Sequence, residues 1–157
     1  SLLAAGGRWR GLTASLPDMT ELHTLDVGHC KLGDEATAAV VRALPPGLAE
    51  LGLSWSHCGE ATAGALEAAT LPCLSALDLS HSLRVGSYLS RVLARMPQLR
   101  RLGAYNCGLT DAAVEVLGRE ALPRLAALEV LDVTGNRCVT PRGWAALARG
   151  LSPGTRA

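Results

Sequence analysis

Histidine and cysteine are the residue types in this chain that are best suited to chemistry. The sequence contains four histidines and five cysteines, and imidazole and thiolate groups serve as metal ligands, general bases and nucleophiles. No CxxC pair occurs, and no cysteine–histidine spacing suits zinc. We therefore expect no metal site. The cysteines are Cys30, Cys58, Cys73, Cys107 and Cys138.

The other requirements for catalysis are also missing from the sequence. A nucleophile has to lie beside a base, or two carboxylates have to share a closed pocket. The pair Gly6-Gly7 stands alone and does not form a Gly-rich phosphate loop after a strand. We expect a protein that is not an enzyme and needs no cofactor. The odd number of cysteines favours reduced thiols, and we therefore expect an intracellular location, in the cytoplasm.

A repeated frame of apolar residues has to position these side chains. In the first copy Leu22, Leu25, Val27 and Leu32 occupy positions 1, 4, 6 and 11 of the frame, and Cys30 occupies position 9. A Leu-Pro or Met-Pro pair precedes every copy. Self-similarity at such a period is typical of a stacked-repeat architecture. The copies start at Leu22, Leu48, Leu74, Leu99 and Leu128, 25 to 29 residues apart.

The frame resembles the leucine-rich-repeat consensus L-x-x-L-x-L-x-x-N/C-x-L, at the length of its ribonuclease-inhibitor-like class. This resemblance implies an α/β leucine-rich-repeat solenoid of about five repeats, with a curved parallel β-sheet on the concave side and helices on the convex side. Residues 1–157 then form a single domain, in which 1–17 is the helix of a preceding repeat and repeats start near 22, 48, 74, 99 and 128. The chain begins at Ser1 and has no evident polar cap at its end. We expect a fragment of a longer chain.

Positions 9 and 11 of the frame predict structural roles for several polar side chains and thiols. Asn, Cys or Ser at position 9 can hydrogen-bond the backbone of the loop that leaves the strand. Cys58 and Cys138 occupy position 11 and are predicted to be small core residues. The third copy has Arg84 at position 11, so Val85 is predicted to supply the apolar contact through a shifted loop. Position 9 is occupied by Cys30, Ser56, Ser82, Cys107 and Asn136.

Positions 3, 5, 7 and 8 are predicted to face solvent on the concave sheet. Aromatic and Arg side chains dominate binding hot spots. His29 and His81 lie two coils apart, about 10 Å, which is too far to share a metal ion or a proton. The alternative for Trp55 is that its ring folds back onto the rim, and for the aspartates it is plain solvation. The candidate partner-binding residues are Trp55, Tyr105, His29, His81, Arg101, Asp26, Asp78 and Asp132.

The charge is unevenly distributed along the chain. Residues 1–78 carry a net charge of −5, and residues 79–157 carry +6. Between Leu79 and Thr110 there are five arginines and no carboxylate, a composition that suits RNA or another polyanion. Against this interpretation, Arg91 and Arg95 are expected on the convex side and Arg101 on the concave side. The possible polyanion-binding residues are Arg84, Arg91, Arg95, Arg100 and Arg101.

The function that the resemblance favours is a non-catalytic scaffold or adaptor. It would bind a protein partner, of unknown identity, through the concave face, within a larger intracellular assembly. Fold alone does not name that partner. The alternative is a docking subunit on RNA or another polyanion through the Arg-rich region 84–101, so nucleic acid is a secondary candidate. No apolar run approaches the roughly 18 residues that a membrane span needs, and no membrane partner is expected.

Overall fold

The computed structural model describes residues 2–157, with side chains described from Trp9 onward. Within this range short strands alternate with helices along the chain. The strands are β1 (Thr24–Asp26), β2 (Glu50–Gly52), β3 (Ala76–Asp78), β4 (Arg101–Gly103) and β5 (Val130–Asp132). The helices are α1 (Leu2–Ser15), α2 (Asp34–Arg42), α3 (Glu60–Ala68), α4 (Leu89–Leu93), α5 (Asp111–Val116) and α6 (Pro141–Ala148). A π-helical turn, Leu117–Ala121, follows α5.

The five strands form one parallel sheet in the order of the sequence. Each strand is three residues long, and neighbours pair without a shift in register along the frame. The helices pack side by side, each on the next, from α1 to α6. Strand, turn and helix therefore repeat as successive coils of a solenoid, which confirms the predicted leucine-rich-repeat α/β fold. We number the coils 1 to 5 by their strands.

The central leucines of the five strands form one continuous line in the core. Leu25 pairs with Leu51, Leu51 with Leu77, Leu77 with Leu102, and Leu102 with Leu131. All except Leu25, which lies at the end of the sheet, are at least 97% buried. The core contains no phenylalanine. Its packing therefore depends on many similar aliphatic contacts repeated from coil to coil.

Three of the position-9 side chains, those of Ser56, Cys107 and Asn136, form the predicted hydrogen bonds to the backbone, and these bonds join neighbouring coils. The prediction fails for the Ser82 hydroxyl, which has no partner among the described residues. The Ser56 hydroxyl donates to the Val27 carbonyl, and the Cys107 thiol donates to the Leu79 carbonyl. The Asn136 amide group donates to the Ala104 carbonyl. Each acceptor belongs to the preceding coil. We call the four buried residues at this position, Ser56, Ser82, Cys107 and Asn136, the turn column.

Two of the predicted cysteine environments are wrong. Cys30 is exposed, because β1 is the edge strand of the described sheet and no neighbouring strand on that side offers a carbonyl to the thiol. Cys138 is also exposed, since Val139 takes the core position beside it and is only 8% exposed. The prediction holds for Cys58, which is fully buried.

The third coil is irregular in the way that its sequence suggests. Val85 is fully buried and replaces the missing apolar residue at position 11. Leu83 and Arg84 are consequently turned out to solvent, and Leu83 is 63% exposed. The backbone of this loop lies directly against Gly108, where a Cβ atom would collide with the Leu83 carbonyl oxygen. A glycine in coil 4 is therefore what allows the loop of coil 3 to pack here.

Across the described residues, no helix is both long enough and apolar enough to cross a bilayer.

Candidate functional site

Four aromatic side chains from successive coils meet in one line at the turns that follow the strands. The ring centroids of His29 and Trp55 are 5.9 Å apart, those of Trp55 and His81 are 3.9 Å apart, and those of His81 and Tyr105 are 4.8 Å apart. The first two pairs are stacked and the third is tilted by 55°. We call these four side chains the aromatic row. The structure thus brings together four of the predicted partner-binding residues.

The backbone of the row has an unusual conformation that is the same in every coil. His29, Trp55 and His81 have φ angles of 58°, 58° and 61°, and Asn106 and Gly135 occupy the same frame position with φ of 50° and 74°. This left-handed region costs a residue with a side chain about 1–2 kcal/mol. Large rings at such a position point to a use for the side chain rather than for the turn alone.

Hydrogen bonds between coils hold these turns in place. The backbone N–H of His29 donates to the Ser54 carbonyl at 2.8 Å, and that of Trp55 donates to the Ser80 carbonyl at 3.0 Å. The N–H of His81 donates to the Tyr105 carbonyl at 2.8 Å. The ladder of the sheet therefore continues past the strand ends. It offsets the cost of the left-handed residues and fixes the spacing of the rings.

The aromatic row is partly exposed to solvent. Trp55 is 43% exposed and Tyr105 is 38% exposed, and Trp55 lies at the turns that follow the strands rather than over the strands themselves. Tyr105 lies over Gly135, where a Cβ would come 2.8 Å from the ring. Trp55 is stacked between two imidazoles and still keeps an exposed surface. Ring edges carry partial positive charge and N–H or O–H donors, and therefore suit acceptor groups of a partner.

Arg101 lies on a different surface, the face of the sheet opposite the helices, which we call the open sheet face. Its guanidinium forms an ion pair with the Glu50 carboxylate. The pair spans the intervening strand, since Glu50 and Arg101 both pair in register with Ala76. Around it the strand residues enclose a shallow cavity of about 290 Å³. The Arg101 side chain is half-exposed, and its charge is already balanced by the carboxylate of Glu50.

The three predicted aspartates on the open sheet face hold the ends of the strands. The Asp26 carboxylate accepts from the N–H of Gly28 at 2.8 Å, and Asp78 accepts from the N–H of Ser80 at 2.9 Å. Asp132 accepts from the N–H and the hydroxyl of Thr134. These are turns closed by a side chain two residues back. The aspartates thus have a structural role beyond plain solvation. All of these bonds go to the Oδ1 atom of each carboxylate, and the Oδ2 atom takes part in none of them.

Aspartate and glycine alternate along this frame position for a steric reason. Gly52 and Gly103 stand between the aspartates, and a Cβ on either would lie 2.6 Å from the carboxylate of Asp26 or Asp78. Each carboxylate therefore occupies the space above the glycine of the next coil. The alternation also keeps two carboxylates from facing each other on adjacent strands, which would be destabilising.

The arginines of the 84–101 region do not form one patch. Arg91 forms an ion pair with Glu67, and Arg95 donates to the Glu67 carbonyl, both at the helices. Arg100 forms an ion pair with Glu129, close to the strand ends of coils 4 and 5. With Arg101 engaged by Glu50, only Arg84 of the five makes no such contact with the described part of the chain.

The buried thiols are poorly suited to nucleophilic chemistry. Burial raises the pKa of the Cys58 thiol, and it raises that of Cys107 to about 12. Both groups are therefore protonated near neutral pH, whereas the thiolate is the reactive form. From Trp9 to Ala157, no cluster of three or more histidine, cysteine or acidic side chains has the geometry to hold a metal ion.

Sequence reasoning missed two carboxylates that act between coils. Asp34 in α2 accepts hydrogen bonds from the N–H groups of Gly59, Ala61 and Thr62 and from the Thr62 hydroxyl, and so caps α3. Burial alone would raise the pKa of Asp34, but these hydrogen bonds outweigh it and lower the pKa. Asp111 likewise accepts from the N–H and hydroxyl of Thr140 at the start of α6. The sequence signal for these carboxylates is a Gly-Asp or Thr-Asp pair at the start of a predicted helix, as in Gly33-Asp34 and Thr110-Asp111.

Comparisons with known proteins agree with this architecture. The family model described as Leucine Rich repeat matches residues 19–40. The C-terminal domain of tropomodulin from Caenorhabditis elegans has a similar structure, with a TM-score of 0.68 over 90% of this chain and 92% of that one. The sequence identity is 16%, so the likeness concerns the fold. The ribonuclease-inhibitor-like class stays a prediction.

Proposed function

We propose that this chain, which has the leucine-rich-repeat fold, is a non-catalytic scaffold that binds another protein. The binding surface consists of the aromatic row and the neighbouring open sheet face. The larger intracellular assembly to which such a scaffold would belong stays a prediction, as does its location in the cytoplasm.

The observation that carries this proposal is the exposed, stacked aromatic row on a strained backbone. Exposed Trp and Tyr side chains bury a large apolar surface when a partner binds, and they are enriched in hot spots. Three of the four exposed large apolar side chains on the described surface, Trp55, Leu83 and Tyr105, lie along the turns of coils 2 to 4. A scaffold function explains both the clustering and the retention of left-handed turns that bear rings.

Several side chains that could take part in chemistry are engaged in other contacts or are buried. The histidine rings of the row are separated by Trp55, the aspartates are engaged by turn N–H groups, and the buried thiols are protonated. Catalysis needs converging reactive groups in a site that excludes water. The open sheet face offers only a shallow, open cavity.

Docking on RNA or another polyanion through residues 84–101 receives less support. Three of these arginines are paired with carboxylates, and they divide between the helices and the sheet. A polyanion would have to displace those carboxylates. Such binding would also weaken steeply as salt is raised, whereas binding through Trp55 and Tyr105 would change little with salt.

Site-specific photo-crosslinking would test the proposed surface. A photoreactive amino acid is placed at Ala76, on the open sheet face, and as a control at Gly64, which is exposed on α3. We expect a protein adduct from Ala76 and not from Gly64. The adduct is identified by mass spectrometry, and the partner is then purified for binding measurements.

The energetic test compares two exposed apolar side chains. Trp55→Ala is expected to raise the Kd for the purified partner at least about tenfold, as for a hot-spot residue. Met19→Ala removes a side chain of similar exposure, 41%, away from the row, and is expected to leave the Kd unchanged. Equal crosslinking from Gly64, or an unchanged Kd for Trp55→Ala, would contradict the proposal.

A further inference from the structure

A second cavity lies beside the aromatic row, at the turns of coils 2 to 4. Its volume is about 250 Å³, and Trp55 and Leu83 form its apolar walls. We call it the edge cleft. It is distinct from the cavity on the open sheet face, because the two share no lining residue. Leu83 is the most exposed of the large apolar side chains described, at 63%.

The edge cleft arises from the irregular third coil. In coils 1, 2 and 4 position 10 is left-handed, at Lys31, His57 and Gly108, whereas Leu83 in coil 3 is not. With Val85 drawn into the core, Leu83 and Arg84 are displaced outward as a wall of the cleft. A departure from the repeat that exposes a leucine lowers the stability of an isolated chain. It suggests a surface that is covered when a partner is bound.

The polar groups of the edge cleft are all able to donate hydrogen bonds. The polar residues that line it are His57, His81, Arg84 and Asn106, together with the thiol of Cys58, and no carboxylate lines it. Arg91, Arg100 and Arg101 have carboxylate partners, but Arg84 makes no ion pair with any residue from Trp9 to Ala157. The cleft therefore presents an unneutralised guanidinium next to apolar walls. Its complement is an apolar group adjacent to a negative charge.

We propose that the edge cleft binds a segment of the protein partner in which a leucine-sized apolar side chain is flanked by Asp or Glu. The apolar side chain lies between Trp55 and Leu83, and a flanking carboxylate pairs with Arg84. This inference rests on the proposed scaffold function and adds to it the chemistry of the partner segment. Trp55 also carries an indole N–H donor, which suits a backbone carbonyl of the segment.

A peptide titration followed by NMR would test the inference on the whole chain. The probe is an acetylated and amidated heptapeptide with the central sequence Glu-Leu-Glu flanked by Ser and Gly. We expect it to shift the indole N–H signal of Trp55 and the methyl signals of Leu83. A Gln-Leu-Gln peptide tests the charge and a Glu-Ala-Glu peptide tests the apolar anchor. Each is expected to bind at least about fivefold more weakly.

Protein variants assign the binding to the cleft. Arg84→Gln and Leu83→Ser change exposed side chains, so the fold is retained, and each is expected to raise the Kd of the Glu-Leu-Glu peptide about fivefold. Arg124→Gln and Met19→Ser are matched controls at exposed positions on other parts of the surface, and they are expected to leave the Kd within about twofold.

Several results would overturn the inference. The inference fails if the peptide shifts neither the Trp55 nor the Leu83 signals, or if Arg84→Gln leaves the Kd of the peptide unchanged. It also fails if a uridine oligonucleotide binds the cleft more tightly than the peptide does. The proposed function fails separately. If the peptide fails but Trp55→Ala still weakens partner binding, only the inference about the segment is lost. If the peptide binds the cleft but no partner crosslinks from Ala76, the proposed use of the open sheet face is lost instead.

Discussion

The turn column predicts a graded series of stability losses, with Asn136→Ala as the largest. The Asn136 side chain is 4% exposed, and its oxygen accepts from the N–H groups of Cys107 and Leu109 at 2.9 and 3.0 Å. Its amide group donates to the carbonyls of Ala104 and Val133 at 2.9 and 2.7 Å. A fifth, longer bond of 3.4 Å runs from the amide group to the Thr134 carbonyl. Alanine removes all of these bonds and leaves the four backbone groups with short bonds without this partner in a buried turn.

The expected magnitude follows from the number of bonds. An intramolecular hydrogen bond contributes about 1 kcal/mol, and a buried group left unpaired costs at least as much. Asn136→Ala should therefore lower the free energy of unfolding by about 4 kcal/mol, a large fraction of the 5–15 kcal/mol that is usual for a domain. Ser56 makes one bond, to the Val27 carbonyl at 3.3 Å, and Ser56→Ala should cost about 1 kcal/mol.

Ser82 is the matched control, because it occupies the same column and is fully buried. Its hydroxyl oxygen has no hydrogen-bond partner among the described residues. Ser82→Ala should therefore leave the free energy of unfolding unchanged or raise it slightly, since it removes a buried hydroxyl that forms no hydrogen bond in the folded state.

Urea unfolding at pH 7, followed by circular dichroism, measures the series. The slope of the free energy with denaturant has to be compared between variants, because a repeat protein can lose single coils without unfolding as a whole. The reasoning would be refuted if Asn136→Ala and Ser82→Ala changed the free energy of unfolding by amounts within 1 kcal/mol of each other.

Three further predictions concern the thiols, one carboxylate and one glycine. The two buried thiols, including Cys107 with its pKa of about 12, should resist iodoacetamide until the chain unfolds, while the three exposed thiols react at once. Mass spectrometry of the labelled protein counts both classes, and early labelling of a buried thiol would contradict the burial. The lowered pKa of Asp34 means that its carboxylate stabilises the fold above its ordinary value of 3.8 and loses this effect as pH falls through the lowered folded value. Denaturant midpoints across pH should show the deficit of Asp34→Ala shrinking in acid, and a constant deficit would refute the linkage. Gly103→Ala should cost about 1–2 kcal/mol because its Cβ meets the Asp78 carboxylate at 2.6 Å. Gly64→Ala in α3 meets nothing within 4 Å and should instead stabilise by up to about 1 kcal/mol, so equal melting temperatures for the two variants would contradict the steric argument.

The solenoid could be predicted because its core is specified by residues that recur at a nearly constant interval. Leu25, Leu51 and Leu77 pair in the register that their frame positions imply. The irregular third copy could also be predicted, since Val85, the residue after Arg84, takes the core position that Arg84 does not fill. Apolar periodicity determines which side chains point inward, so it was sufficient for the sheet and for most of the core.

The site could be predicted only in part, because its details depend on contacts between coils. The residues of the aromatic row were identified, but their stacking requires the left-handed turns at His29, Trp55 and His81. No apolar pattern encodes a positive φ at a residue that is not glycine. The pairing of Arg101 with Glu50 joins residues 51 positions apart. Cys30 is exposed because its strand lies at the edge of the sheet. The repeat frame assigns the same environment to every copy and therefore does not distinguish an edge strand from an interior one.

On the proposed binding surface, the left-handed turn under Trp55 gives this one residue opposite effects on the stability of the fold and on the affinity for a partner. Glycine or asparagine adopts this conformation at little cost, and Asn106 and Gly135 do so in coils 4 and 5. Trp55→Asn would therefore relieve strain while it removes the central ring of the row. If the proposed function holds, the strain at this turn is the cost of keeping a large ring on the binding surface, and a variant that relieves it is expected to lose affinity for the partner.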